Sequence, residues 1–271
     1  MFSLEYIIFL ILIGVIVGFL SGLLGIGGGV VLVPLQYFLL QSSGVNSSLA
    51  LLISFGTSLA IIIPTSISGA YRHVKDIPEV LHPGIKLGMF GVIGGFIGGL
   101  VASISPTQIL EYIFGILLII LAVYNLITMN KKAKESTIEI NIFLTVFLGL
   151  LIGFLSGLLG IGGGVFIIGI LSIFLGYSMK EAIGMSSVFI CFAAIGGLIS
   201  YVISGLGVNT LPYSIGYINL IHFGVIILFS VPLAYIGAKV ADNVSDKKLT
   251  IIYTLVILVM ALKILGIIPD F

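Results

Sequence analysis

Charged side chains make up only 8% of this 271-residue chain, against about 25% in an ordinary soluble domain. So little charge cannot clothe a soluble surface of this size. Cysteine occurs once, as Cys191 inside an apolar run, which excludes a disulfide framework and a cysteine-based metal site. The histidines, His73, His82 and His222, are scattered and form no ligand motif. No metal and no cofactor is expected. No Walker motif is present, so this chain does not use ATP. No His, Asp, Glu or Cys constellation converges within the apolar runs, which argues against an enzyme. The formal net charge of +1 carries no signature of a nucleic-acid binder. The first apolar run has no basic region before it and follows Glu5, so it does not read as a signal peptide.

Long apolar runs are abundant. Mean hydropathy is +1.35, and 59% of residues are hydrophobic. A spanning helix needs about 20 predominantly apolar residues, and long apolar runs, such as 6–24 and 112–127, recur along the whole chain. The short alternating strands of a transmembrane barrel do not occur. The expected fold is an all-α polytopic membrane protein, with the lipid bilayer as its solvent.

The chain repeats itself. The string GFLSGLLGIGGGV at Gly18–Val30 recurs letter for letter at Gly153–Val165. Downstream, Thr57-Ser58 falls near Ser186-Ser187, His82-Pro83-Gly84 against His222-Phe223-Gly224, and Gly98–Val101 against Gly237–Val240. A first transmembrane repeat, 1–129, and a second, 140–271, are joined by the polar linker 130–139. Each half parses into about five hydrophobic segments, at roughly 4–24, 29–41, 47–71, 80–103 and 107–129, then 140–160, 165–177, 179–204, 217–240 and 248–268. The second and seventh are short. About 13 helical residues rise about 20 Å, less than the roughly 30 Å hydrocarbon core, so these segments read as half-helices or as arms of re-entrant hairpins.

Basic residues set the expected topology. Arg72, Lys75 and Lys86, then Lys131, Lys132 and Lys134, then Lys180, then Lys239, Lys247 and Lys248 fall on one side, with Lys263 toward the other. By the positive-inside rule that side is the cytoplasm, and both termini are expected outside. The rule does not separate fully crossing segments from re-entrant ones. Either way each half crosses an odd number of times, so the repeats are expected to be inverted, a pattern of secondary transporters.

Glycine clusters break helices and admit backbone conformations closed to other residues. The helix beginning near Val30 would present unpaired N–H groups and a positive dipole end, which suit an anion without a charged side chain. The alternative reading is close helix packing, which is the reading taken for Gly91, Gly95 and Gly99 at GxxxG spacing.

The doubled GFLSGLLGIGGGV, followed by VVLVPLQ and then FGTSLA, resembles the TauE/SafE sulfite-exporter family of membrane permeases through both halves. The resemblance implies transport of a small sulfur-containing anion, such as sulfite, a sulfonate or sulfoacetate, across a bacterial or archaeal plasma membrane. It names no particular substrate. The halves differ, since Pro34 is matched by Gly169 or a neighbour and GTS becomes MSS, so an asymmetric site is expected.

The candidate substrate-binding residues are Ser21, Gly25, Gly27, Gly28, Gly29, Gln36, Thr57 and Ser58, with Ser156, Gly160, Gly162, Gly163, Gly164, Ser186 and Ser187 in the second half. The hydroxyls either donate to an oxyanion or bond the carbonyl one turn back. Ser54 and Ser66 are weaker candidates, and Asn125 lies nearer a helix end. Arg72 and His73 form either an anion vestibule or a topological anchor. Lys86, Lys239 and Lys263 snorkel. Glu111 is either the carboxylate for proton coupling or an interfacial residue. His82 and His222 occupy corresponding places, which suggests a shared structural role. The expected function is a secondary transporter of a small anion that rocks two inverted halves about the glycine turns. An anion channel and a non-transporting assembly subunit are the alternatives.

Overall fold

A computed structural model of the chain describes residues 3–128, 141–208, 210–241 and 243–264. The linker 130–139 and the side chains of Asn125 and Lys263 lie outside the described residues. Helix α1 (Leu4–Leu24) starts where the Ser3 hydroxyl accepts the Tyr6 N–H at 3.2 Å. It stops at Gly25, whose left-handed backbone ends the helix. Helix α2 (Gly29–Ser42) follows, then α3 (Ser47–Asp76), capped by Asn46. A 3₁₀ turn at Pro78–Val80 leads to α4 (Leu81–Ile104), and α5 spans Thr107–Thr128.

The second half runs in the same order. Helix α6 (Ile142–Leu159) is capped by Asn141 and ends at left-handed Gly160. Helix α7 (Gly164–Gly169) continues into a π turn at Ile170–Phe174. Helix α8 (Met179–Ser204) opens with a capping box of Ser178 and Glu181, which satisfies two otherwise unpaired amides. Helices α9 (Leu220–Ala241) and α10 (Asp246–Ile264) follow. Among the described residues, six helices are long and apolar enough to cross a membrane: α1, α3, α4 with its 3₁₀ turn, α6, α8 and α9.

Small residues set how these helices lie together. Added Cβ atoms on Gly14, Gly18 and Gly22 of α1 would strike Ile226, Ser230 and Ala234, so α1 and α9 run side by side in the same direction. Gly149, Gly153 and Gly157 of α6 meet Leu87, Gly91 and Gly95 of α4 in the same parallel sense. Helix α4 also runs parallel to α8, with Gly84 on Val188, Gly88 on Phe192 and Gly99 on Ser200. By contrast α3 and α8 are antiparallel: Gly56 meets Tyr201 and Ser66 meets Cys191, and Val80 in the turn after α3 meets Gly184 near the start of α8. Exchanging each helix for its counterpart maps these pairings onto one another. Helix α1 on α9 becomes α6 on α4, α3 on α9 becomes α8 on α4, and the α3–α8 and α5–α10 pairs map onto themselves.

Helix α4 turns its glycines inward and Met89, Ile93, Ile97 and Ile104 outward, where they are exposed. This is the reverse of a soluble helix and suits lipid. Gly91, Gly95 and Gly99 lie in these close contacts; a Cβ on Gly95 would stand 2.4 Å from the Ala193 carbonyl oxygen.

Two features go beyond the segments: the return of the short helices, which their lengths had left open, and a loop they did not show. Helix α2 returns toward the face from which α1 departs, because Tyr6 of α1 and Gln36 of α2 both reach His222 at the start of α9. The α1–α2 pair is therefore a hairpin, and so is α6–α7, since the start of α6 (Gly149 on Leu87) and the start of α8 after α7 (Gly184 on Val80) lie at the same end of α4. Second, the stretch 205–219 between α8 and α9 is far longer than the 77–80 connection in the first half. It carries a small antiparallel pair, β1 (Ser214–Ile215) with β2 (Ile218–Asn219), so α9 begins at Leu220 rather than 217. Burial raises the pKa of the Tyr217 phenol in this loop.

Candidate functional site

The two glycine turns share one backbone. Gly25, Gly27 and Gly28 have φ of 62°, 74° and 77°, and Gly160, Gly162 and Gly163 have 65°, 80° and 78°. The left-handed region costs other residues about 1–2 kcal/mol each, which explains a glycine at every one of these positions. The Gly25 N–H donates to the Ser21 carbonyl at 2.9 Å, closing α1. The Gly28 carbonyl accepts the Leu32 N–H at 2.9 Å and the Gly163 carbonyl the Ile167 N–H at 3.1 Å, opening the returning helices.

The hairpin tips meet in the middle of the protein. A Cβ on Gly29 would fall 2.5 Å from Ile161 Cα, and one on Gly164 2.8 Å from Ile26 Cα. Gly27 and Gly162 both face Ile62 of α3 and Ile190 of α8, near the midpoints of those helices. Every residue from 21 to 34 and from 156 to 169 is buried. Broken backbone at this depth is tolerated only where protein or a wet cavity satisfies it. Val31 already donates to the Gly28 carbonyl at 3.1 Å, so the amides left without an acceptor within α2 are those of Gly29 and Val30, and the positive dipole end of the helix points into this centre.

The candidate side chains divide by hydrogen bonding. The Ser186 hydroxyl is used by the turns, at 2.7 Å from the Gly25 carbonyl oxygen and 3.3 Å from that of Gly164. Ser187 donates to Ile183 one turn back at 2.9 Å, and Ser54 to Ala50 at 2.7 Å. Ser66 donates to Ile63 and touches Cys191 at 3.2 Å. Thr57 accepts the Asn219 N–H at 2.9 Å, tying the loop before α9 to α3. Ser21 is buried, with its Cβ beside Gly28.

Three atoms remain. Gln36 Nε2, Ser58 Oγ and Ser156 Oγ are buried without a hydrogen-bond partner among the described residues. Each of these residues is 0% exposed. Ser58 and Ser156 lie one turn beyond the contact of Phe55 with Gly160, on helices running in opposite directions, and so stand at one level in the protein. A buried polar atom left without a partner costs about 1–3 kcal/mol, and such atoms are rare in native proteins.

The remaining candidates lie elsewhere. His73 is buried with Nε2 2.9 Å from the Gly22 carbonyl oxygen, fastening α3 to α1. Arg72 pairs with Asp76 on α3. Glu111 accepts the Tyr37 hydroxyl at 2.6 Å, away from the turns. Lys86 and Lys239 are exposed. The shared role expected for His82 and His222 is not what the structure shows. His82 is exposed, whereas His222 is fully buried, 2.5 Å from Tyr6 Oη and 3.0 Å from Gln36 Oε1. That grouping joins α1, α2 and α9 and left no local signal in the sequence. Among the described residues, no group of three or more His, Cys, Asp or Glu is placed to hold a metal ion.

Comparison with known proteins covers nearly the whole chain. The family model described as sulfite exporter TauE/SafE matches residues 10–264. A probable membrane transporter protein of Haemophilus influenzae is 35% identical over 80% of this chain and 81% of its own length. A probable membrane transporter protein of Methanocaldococcus jannaschii is 33% identical over 94% of each chain. One from Bacillus subtilis is 29% identical over 85% of this chain and 88% of its own. No solved structure gives a significant match. With its buried pair of glycine turns, its apolar spanning helices and this coverage, the chain belongs to the sulfite exporter TauE/SafE family of membrane transporters.

Proposed function

We propose that this chain is a secondary transporter of a small sulfur-containing oxyanion or organosulfonate, working by alternating access between two inverted repeats. The observation that carries the reading is the meeting of the two glycine turns at a buried centre, in a protein whose helices α2, α3 and α6 each hold one buried hydrogen-bonding atom without a partner among the described residues. A neutral, donor-rich centre suits a small anion. Backbone amides at a helix start and the amide and hydroxyls of Gln36, Ser58 and Ser156 bind negative charge without a fixed cation to hold it too tightly.

The pairing of helices supports inversion, since counterparts such as α3 and α8 lie antiparallel across the centre. Such repeats exchange roles as access alternates. Burial of both turns describes a closed centre, a state that a rocking mechanism passes through. The described basic residues Lys75, Lys86, Lys239, Lys247 and Lys248 are exposed. In this arrangement they share one face, which is the cytoplasmic face by the positive-inside rule and leaves the termini outside. The membrane is the plasma membrane of a bacterium or archaeon.

The test is counterflow in proteoliposomes with radiolabelled sulfite, thiosulfate, sulfoacetate and taurine, against sulfate and chloride as competitors. Saturable counterflow of one sulfur anion, weakened in Ser58→Ala and Ser156→Ala, supports the reading. Non-saturating flux indicates a channel. Absence of flux for every anion returns the turns to a packing role.

A further inference from the structure

Helix α2 carries a polar side chain that its counterpart lacks. Gln36 stands two turns after Gly29 on the same face of α2, and the matching residue after Gly164 is the buried Leu171. Gln36 is held from behind. Its Oε1 lies 3.0 Å from His222 Nδ1, and His222 Nε2 lies 2.5 Å from the Tyr6 hydroxyl. An amide oxygen can only accept, so this arrangement assigns the proton to Nδ1, leaves Nε2 as an acceptor and makes the phenol the donor. The donors run from Tyr6 to His222 to Gln36 and leave the Gln36 NH₂ outermost, buried and without a partner.

The same network reaches α3. The Asn219 carboxamide oxygen accepts the His222 N–H at 3.0 Å and the Ile221 N–H at 3.1 Å, and the Asn219 N–H donates to Thr57 at 2.9 Å. Thr57 is followed by Ser58, whose hydroxyl is also unpartnered. The network therefore ends at one unpaired buried atom, Gln36 Nε2, and at Thr57, the residue before a second, Ser58.

We propose that Tyr6 and His222 are positioning residues that keep the Gln36 NH₂ turned toward the transported anion, so that the trio selects oxyanions such as sulfite or a sulfonate. The proposal rests on the anion-transport reading above. A flipped carboxamide would present its oxygen to the ligand and repel an anion. It would also reverse the His222 tautomer and force the Tyr6 phenol to accept. The imidazole therefore fixes the side of the amide that faces the substrate.

The test measures initial counterflow rates of radiolabelled sulfite and sulfoacetate over a range of concentrations, with thermal unfolding of each variant in detergent. Gln36→Leu and His222→Leu are expected to raise KM about tenfold or more with maximal rates within about twofold of wild type, the loss of a hydrogen bond to a charged ligand. Tyr6→Phe raises KM less, and His222→Gln, which keeps a donor, recovers part of the loss. The double variant Gln36→Leu/His222→Leu is no worse than Gln36→Leu alone, because His222 acts through Gln36. An unchanged KM in Gln36→Leu, or penalties that multiply in the double variant, overturns the proposal. If the leucine variants unfold early, the near-isosteric Gln36→Glu decides, and an unchanged KM there overturns it as well. A wild type that carries neither anion overturns the anion-transport reading itself, whereas an active wild type with indifferent variants overturns only the positioning role.

Discussion

At the scale of single residues, the unpaired atoms of Ser58 and Ser156 make a sharp expectation. Neither hydroxyl has a partner to lose among the described residues. Ser58→Ala and Ser156→Ala should therefore leave the melting temperature in detergent within a few degrees of wild type, or raise it, since an unsatisfied buried group is removed. Each should raise KM for the transported anion by roughly tenfold to a hundredfold, the equivalent of about 1.5–3 kcal/mol for a hydrogen bond to charge. Ser187→Ala should change neither quantity by much, because its hydroxyl bonds a carbonyl of its own helix. Thr57→Val differs again. It orphans the buried Asn219 N–H and should cost about 1–3 kcal/mol, visible as faster hydrogen exchange at residues 214–219.

At the scale of elements, glycine does two separate things. In the turns it supplies positive φ; along α4, α6 and α1 it permits close approach. The two roles predict different failures. Gly157→Ala places a Cβ 1.9 Å from the Gly95 carbonyl oxygen, so α6 must move off α4. The cost should be at least the 1–3 kcal/mol typical of overpacking, roughly, with early thermal unfolding. Gly28→Ala places a Cβ 2.5 Å from Val17 at a φ of 77°. The strain falls on the hairpin tip, so counterflow should be lost at a temperature where the helices remain folded by circular dichroism. Substitution of Gly44, which has open space beside it but φ of 84°, should cost only the local strain of about 1–2 kcal/mol and leave transport intact.

At the scale of the whole molecule, the hairpins govern which loops share a face. With Cys191 replaced by serine, single cysteines at Glu79 and Lys180 should react with an impermeant maleimide from one side of the membrane, and cysteines at Ser43, Ser47 and Ser214 from the other. Labelling of Ser43 and Ser47 from the side that labels Glu79 would show that α2 crosses rather than returns. The faces also differ in cover. The hairpin of 214–219 closes the α3–α8 seam at one end through Tyr217, whose N–H donates to the Tyr201 carbonyl at 3.2 Å. At the other end an apolar groove of about 710 Å³ lies open between α3, α4 and α8, bordered by Tyr71 and Lys75.

Span lengths, the doubled turn and its glycine positions were legible in the sequence because they are local: apolar length sets a span, and glycine adopts the positive φ values at 25, 27, 28, 160, 162 and 163 without the steric cost other residues meet. Tertiary structure alone decided which polar side chains are spoken for. Ser58 and Ser187 look alike as sequence, yet one is unpaired and the other bonded within its helix. His222 and His82 align in the repeat, yet one is buried against Tyr6 and Gln36 and the other exposed. Each of these outcomes depends on a neighbour brought from far along the chain. A hydrogen bond needs its partner within about 3 Å, and no local pattern encodes which distant helix will supply it.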